Sequence, residues 1–568
     1  MLLQQLAADA DRIVGELPPP MYDRKPVKWI IELDMSGEFL GIVLQTGDGG
    51  PKDKGKLMLV PYVKRTSGLR PLLLADTVTY VLGMAPQDRR VEEKHAAFLE
   101  LAERCASTTG VPEVAAVVEL LKRLRQEWEI DAEVAPDDVV SFRVDGTHVV
   151  DIAAVRAFWA NEVTGSEGED FSGHARQCLV CDERAPIPSK VPVPVKGIPG
   201  GQSAGTALVA VNSKAFESYG LDRATTSGVC QSCGERFGKA LNALLKSEAN
   251  RLRVGPTVFV FWTQKDVGFD FVTHLSKPDV DQVRSLLSSH RSGVTSAAVD
   301  DSAFYATALS ANSARAVVRD WLSTTVATAK RNLCRWFELT RQVDAWGKEG
   351  APVGVYRLAA APYRDASKQM HPALPGLLVR AALHGERMPA GIISAVLLRL
   401  RAESNVTYEQ AVLLKVALLS INPGKESYMS SLETEETSVA YSCGRALAVL
   451  EAIQRRALGK VNSTIVDKYF AAASSTPASV FGRLLSGAQP HLAKMRKSEQ
   501  TKGAAVALER RLEEVLAPID AFPTTLSLRD QALFALGYYH QRAADRAASS
   551  SKSAGETAGN HDYKETEE

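Results

Sequence analysis

The sequence predicts an α+β fold: a mixed α/β N-terminal half with a zinc-knuckle insertion, followed by an all-α helical C-terminal half. Three observations carry this. Short β-branched and aromatic runs separated by glycine turns fill roughly the first 275 residues. Alanine- and leucine-rich amphipathic segments dominate from about residue 278. Between them, two Cys-x-x-Cys pairs frame a polar, glycine-rich stretch, KGIPGGQSAGTALVAVNSKAFESYG, at 196–220.

The elements follow in order. Leu2, Leu3, Leu6, Ile13 and Val14 have helical spacing, and PPPMYDRKP then stops the helix because proline cannot continue it. VKWIIEL, FLGIVLQ and KLMLVPYV read as strands between Ser-Gly and Gly-Asp-Gly-Gly turns. Helical spacing returns over 88–106 and 113–130, and VVSFRVDGTHVVD reads as a hairpin about Asp145-Gly146. VFVFWT at 258–263 reads as a buried strand, and TALVAVN at 206–212 as strand-like. Amphipathic helices are expected at 279–289, 313–345, 376–402, 406–420, 437–459, 463–473 and 504–516. This gives an N-terminal domain at 1–275, a helical middle domain at 276–425 and a helical bundle at 438–545. The polar, small-residue tail at 546–568 reads as disordered. The acidic stretch NPGKESYMSSLETEETS at 422–438 marks the joint before the bundle.

Composition narrows the class. The chain has 568 residues, 45% hydrophobic and 24% charged, with Lys+Arg and Asp+Glu equal at 67 each. The overall charge gives no sign of nucleic acid, so any such signal must come from local patches. No apolar run is long enough to span a membrane, and the N-terminus lacks a basic leader. Seven cysteines in so long a chain make no disulfide framework. A reducing, cytoplasmic setting without membrane contact fits.

Cys178, Cys181, Cys230 and Cys233 could supply four thiolates to one tetrahedral zinc. Each two-residue spacing turns both sulfurs to one side of a knuckle. The 48 residues between the pairs exceed the usual spacing, which leaves unrelated buried thiols or a redox pair as alternatives. His174 is a substitute ligand by position. Four thiolates leave no open position for water, so such a zinc is structural.

Catalysis finds little support. One Gly-x-Ser-x-Gly match exists, centred on Ser203, but a nucleophile elbow needs a strand before it and a helix after it. Here prolines precede and a strand-like run follows. Glycine loops of this kind let the main chain approach a nucleic-acid backbone. A plain conformational turn supporting the cysteine site is the competing reading. Basic residues cluster locally: Lys64, Arg65 and Arg70 lie in a turn. Arg315, Arg319, Lys330, Arg331 and Arg335 recur along one expected helical region. Arg455, Arg456 and Lys460 follow, then Lys494, Arg496, Lys497 and Lys502. Each group reads either as a solvated face or as a phosphate contact.

Six stretches occur in a set order: VPYVKRTSGLRPLLLADTVTYVLG, CLVC, the 196–220 loop, ARAVVRDWLSTTVATAKRNLCRWFE, LPGLLVRAALHGERMPAGIISAVLLRLR and VAYSCGRALAVLEAIQRRA. Together they resemble the large subunit of the type I-C (Dvulg subtype) CRISPR surveillance complex, Cascade, from near residue 1 to about 545.

The resemblance implies a non-enzymatic role. In such complexes a guide RNA reads the target by base pairing, and a protein subunit reads the short PAM on duplex DNA and starts strand separation. The implied partners are the guide RNA, double-stranded target DNA and the displaced non-target strand. The backbone, 5′-handle-binding and small subunits and a recruited helicase-nuclease complete the set. Gly200, Gly201, Gln202 and Ser203, with Asn212, are the expected PAM-facing residues, because amides both donate to and accept from minor-groove edges. Lys64, Arg65 and Arg70 would hold duplex phosphates, with insertion as a basic finger the lesser alternative. The basic residues of the helical half, Arg315, Arg319, Arg331, Arg335, Arg455, Arg456, Lys460, Lys494, Arg496 and Lys497, would contact strands. Packing against the guide's 5′ handle is a competing role for 196–220. The resemblance also implies that an internal translation start, at Met429 or at Val439 if a GTG codon encodes it, can yield a separate small subunit. The zinc expectation rests on this chain's own cysteines. A metal-dependent nuclease, a hydrolase using Ser203 and an unrelated zinc-containing scaffold are the rival classes.

Overall fold

The computed structural model describes residues 1–559 except 16, 20, 48, 50–52, 64–68, 86, 128–133, 166–170, 189, 191, 210–212, 222, 293–300, 421–427 and 437. By internal contacts the chain forms two units: Met1–Lys196 with Ser203–Ala243, and Gly197–Gln202 with Leu244–Glu568.

In the first unit, helices α1 (Leu2–Ala8) and α2 (Ala10–Val14) precede strands β1 (Tyr22–Val27), β2 (Trp29–Leu33), β3 (Phe39–Leu44), β4 (Lys56–Pro61) and β5 (Ala75–Thr77). Next come α3 (Val78–Val81), α4 (Val91–Thr109) and α5 (Pro112–Glu127), then β6 (Val139–Val144), β7 (Thr147–His148) and α6 (Ala153–Gly165). The main sheet runs β3-β2-β6-β5, with β2 and β6 parallel and β7 hairpinned onto β6. β1 and β4 form a separate antiparallel pair. β2 and β6 are the central strands because Ile30, Ile31, Leu33, Val140, Phe142 and Val144 are all fully buried. The hairpin turn falls on Asp145 and Gly146, both with positive φ, as the Asp-Gly pair predicts. Beyond these lie the hairpin β8 (Phe171–Gln177) and β9 (Arg184–Pro188), and helix α7 (Gln231–Lys246).

The second unit opens with an antiparallel sheet in simple order: β10 (Arg251–Val254), β11 (Thr257–Thr263), β12 (Ala303–Asn312) and β13 (Arg315–Thr325). Helices α8 (Phe271–Ser276) and α9 (Val280–Ser292) interrupt it. Then come α10 (Val326–Thr340), α11 (Val355–Ala360), α12 (Ala366–Gln369), α13 (Ala373–His384), α14 (Gly391–Glu403) and α15 (Tyr408–Leu419). Among the described residues the last five helices are α16 (Val439–Leu458), α17 (Ile465–Ala473), α18 (Phe481–Arg496), α19 (Glu499–Leu516) and α20 (Leu528–Gly559). One apolar core runs from Leu252 to Tyr539. α16 and α20 cross backbone to backbone. A Cβ on Gly444 would lie 2.0 Å from the Phe534 carbonyl oxygen, and one on Gly537 would lie 2.2 Å from that of Tyr441. Only glycine permits that approach.

The α+β architecture and the helical C-terminal part are as the sequence predicts, with three corrections. The middle segment is not helical from 276: β12 and β13 carry strand structure to Thr325, so Arg315 and Arg319 lie on a strand and only Lys330, Arg331 and Arg335 on a helix. The physical reason is in the residues. Phe304, Tyr305, Val317, Val318, Trp321, Thr324 and Thr325 are β-branched or aromatic, and they pair across a two-residue turn at Ser313-Ala314. The alanines that suggest a helix sit among them. Second, the run at 206–212 contributes no strand among its described residues; Thr206 makes an isolated antiparallel bridge with Val195. Third, α20 carries helical backbone to Gly559, into the stretch from 546 that composition assigns to a disordered tail.

Candidate metal centre and nucleic-acid loop

The cysteine site is built from two local structures. Cys178 and Cys181 occupy the knuckle between β8 and β9, where Cys178 N–H donates to Glu183 O at 2.8 Å and Asp182 N–H to Cys178 O at 2.9 Å. Asp182 takes a positive φ of 67° to complete the turn. Cys230 precedes α7 and Cys233 lies in its first turn, where the unpaired N–H groups of the helix end favour thiolates. Leu179 N–H donates to Gly228 O at 2.8 Å and Cys230 N–H to Cys178 Sγ at 3.3 Å, so the two halves are tied directly.

The four sulfurs lie within 4.8 Å of one another. Zn–S bonds of about 2.3 Å put tetrahedral sulfurs about 3.8 Å apart, so the cluster fits a tetrahedral ion with little movement. Cys181 Sγ and Cys230 Sγ are 3.9 Å apart, and all seven cysteines are free thiols. Burial alone would raise the Cys178 thiol. The N–H groups of Cys230, Cys181 and Val180 directed at its sulfur outweigh burial and lower it to about 7. Burial is the largest influence on Cys230 and Cys233 and pushes both up, Cys230 to about 11. The four cysteines could hold a metal ion, which would take them as thiolates. His174 lies on β8, and its side chain is outside the described residues.

α7 does more than carry cysteines. Glu235 accepts the Met21 N–H at 3.3 Å, and Lys239 Nζ donates to Tyr22 O at 3.1 Å. Arg236 reaches back to Ala7 O at 2.9 Å and to Asp11 at 2.7 Å. Two turns on, Asn242 Oδ1 accepts Lys196 N–H at 2.8 Å and Asn242 Nδ2 donates to Pro194 O at 3.0 Å. The stem of the glycine loop is thus fixed to the cysteine-bearing helix. Across the stem, Val195 and Thr206 exchange N–H···O bonds of 2.8 and 2.7 Å. Gly205, at φ 104°, lets the returning chain pass Pro194, where a Cβ would approach to 2.8 Å.

The loop tip turns through Gly201 N–H donating to Ile198 O at 3.1 Å, and Gly201 bridges Ser313 of the β12–β13 turn. Gly200 is exposed and Gly201 half-buried; the Gln202 and Ser203 side chains are exposed. Ser203 sits in a turn rather than between strand and helix, and no histidine or carboxylate among the described residues hydrogen-bonds it. Lys64, Arg65 and Asn212 lie outside the described residues, and Arg70 is partly exposed.

The basic residues of the helical half divide into two kinds. Arg335 donates to Gly385 O and Ser420 O at 3.3 Å each, at the C-terminal ends of α13 and α15. Arg455 pairs with Glu451 at 2.7 Å, Arg496 with Glu509, and Arg319 donates to Ser310 Oγ at 2.8 Å. Arg331 donates to Thr328 Oγ1 at 3.2 Å, and Arg315 is half-buried. Arg456, Lys460, Lys494 and Lys497 are exposed and have no polar partner among the described residues. So is Arg483, which sequence reasoning missed; it shares the outer face of α18 with Lys494, opposite the buried Leu484, Ala488 and Leu492. Asn242 was missed too, since nothing near it in sequence marks it as a clamp.

Among the described residues no helix is long and apolar enough to cross a membrane. A family model described as CRISPR-associated protein (Cas_Csd1) matches residues 3–545. No curated protein matches the chain.

Proposed function

The chain belongs to the Cas_Csd1 family of CRISPR-associated proteins, and from that premise we propose that it is the non-catalytic large subunit of a cytoplasmic type I-C RNA-guided DNA surveillance complex. In this reading it reads the PAM on duplex DNA, promotes strand opening and helps recruit the helicase-nuclease, while the guide RNA supplies sequence recognition. The observation that carries it is the glycine loop. Its stem is pinned by Asn242, and the Gln202 and Ser203 side chains are exposed. A side-chain amide on a fixed loop suits the degenerate donor and acceptor pattern of a minor groove. The zinc held by Cys178, Cys181, Cys230 and Cys233 keeps α7, and with it the stem, in place. It supplies rigidity and no chemistry.

Arg456, Lys460, Arg483, Lys494 and Lys497 contact a strand backbone in this reading, because their charges are not spent on the fold. A separate small subunit made from an internal start is favoured at Met429 over Val439. Starting at Met429 retains Ser438, whose side chain caps α16 by accepting Tyr441 N–H at 3.4 Å. Comparing duplexes with an intact and a scrambled PAM tests the main reading: the complex must prefer the intact one.

A further inference from the structure

Beyond the glycine loop, the first unit holds an aromatic residue that the fold does not explain. Ser218-Tyr219-Gly220-Leu221 forms a two-residue turn, closed by Leu221 N–H donating to Ser218 O at 2.9 Å. Tyr219 has φ 55° and Gly220 φ 70°, the backbone of a type I′ turn. Asparagine or glycine is the ordinary first residue of that turn, and a bulky side chain there is strained. The strain brings no packing in return, for Tyr219 is 97% exposed. Phe216, three residues earlier, is 47% exposed.

The turn is anchored. Thr226 Oγ1 donates to Leu221 O at 3.5 Å, and Arg176 Nη1 to Thr225 O at 3.3 Å, which ties the following segment to β8, the strand that precedes Cys178. Charge does not account for the projection either. Lys214 and Glu217 are the charged residues of 213–221, and they cancel. What the segment offers is an exposed ring face at the head of a hydrogen-bonded turn. Backbone strain without a packing return is characteristic of functional positions.

We propose that Tyr219 stacks on an unpaired nucleobase at the point where duplex DNA opens. Every base has a π face, so such a contact needs no sequence match and no net charge. Wedging of an exposed side chain against the end of a base stack is a general way to hold strands apart. The inference rests on the DNA-reading role proposed above and adds a residue and a ligand class to it.

The test uses the assembled complex and a forked duplex carrying 2-aminopurine at the first unpaired position, beside a blunt duplex of the same sequence. Wild type is expected to bind the fork and quench the probe. Tyr219→Ala, and Tyr219→Asn which suits the turn, should each lose about tenfold in fork affinity and the quenching, with blunt-duplex binding unchanged. Tyr219→Phe should retain both. If Tyr219→Ala matches wild type on the fork, the inference fails while the DNA-reading role stands. If Tyr219→Ala instead fails to join the complex, the ring is a protein contact and the inference also fails. If wild type binds neither duplex, the proposed function falls and takes this inference with it.

Discussion

Asn242 accepts the backbone N–H of Lys196 at 2.8 Å across 46 residues of sequence. With the companion bond to Pro194, this one amide sets where the glycine loop leaves the cysteine-bearing helix. Asn242→Ala should cost about 1–2 kcal/mol locally, from the loss of two hydrogen bonds, one exposed and one partly buried. Hydrogen exchange should show faster exchange at Lys196 and Thr206, with α16 and α20 unaffected. Asn242→Asp keeps the acceptor and should give the smaller change.

The cysteine cluster predicts one zinc per purified chain by elemental analysis. Cys233→Ser should lose the metal and lower the melting temperature. The loss should reach the start of β1, because Glu235 and Lys239 hold Met21 and Tyr22 from the same helix. Structural zinc contributes folding free energy directly, so chelation should mimic the substitution.

His540 gives a pH dependence. It is fully buried between the Tyr441 hydroxyl at 2.8 Å and Gln342 Oε1 at 3.0 Å, partners that a neutral ring satisfies with one donor and one acceptor nitrogen. Burial, with Lys415 adding a smaller push, lowers it to about 3 from an ordinary 6.5. Between those values the unfolded chain binds a proton that the folded chain does not. The contribution is therefore complete above 6.5 and declines as pH falls toward 3. Urea unfolding of wild type and His540→Phe from pH 4 to 7 should show a shallower slope in the variant.

The two kinds of basic residue should separate experimentally. Arg335→Ala removes a guanidinium that serves two helix ends and should lower stability by about 1–3 kcal/mol. Lys494→Ala with Lys497→Ala should leave stability within about 0.5 kcal/mol. The double variant should reduce the salt dependence of DNA binding, with a log–log slope lower by about 1–2.

Much of this is legible in the sequence where the signal is local. The two-residue spacing of each Cys-x-x-Cys pair is such a signal, so the four cysteines that could hold a metal ion are legible without the fold. The hairpin at Asp145-Gly146 and the buried β11 are legible for the same reason. β12 and β13 are not, because alanines and arginines among their β-formers mimic an amphipathic helix and only the cross-strand pairing decides. The role of Asn242 depends on a contact between distant segments, and composition cannot distinguish Arg335, bound to two helix ends, from Lys494, bound to none.

In the proposed function the exposed Gln202 amide on the glycine loop reads a short duplex motif. The direct measurement selects bound duplexes from a library randomised beside a fixed guide-matched target, with wild-type and Gln202→Ala complexes. Wild type should enrich a short motif at one edge of the target, and Gln202→Ala should flatten the enrichment by about tenfold while keeping assembly. Enrichment that is identical in the two complexes would contradict it.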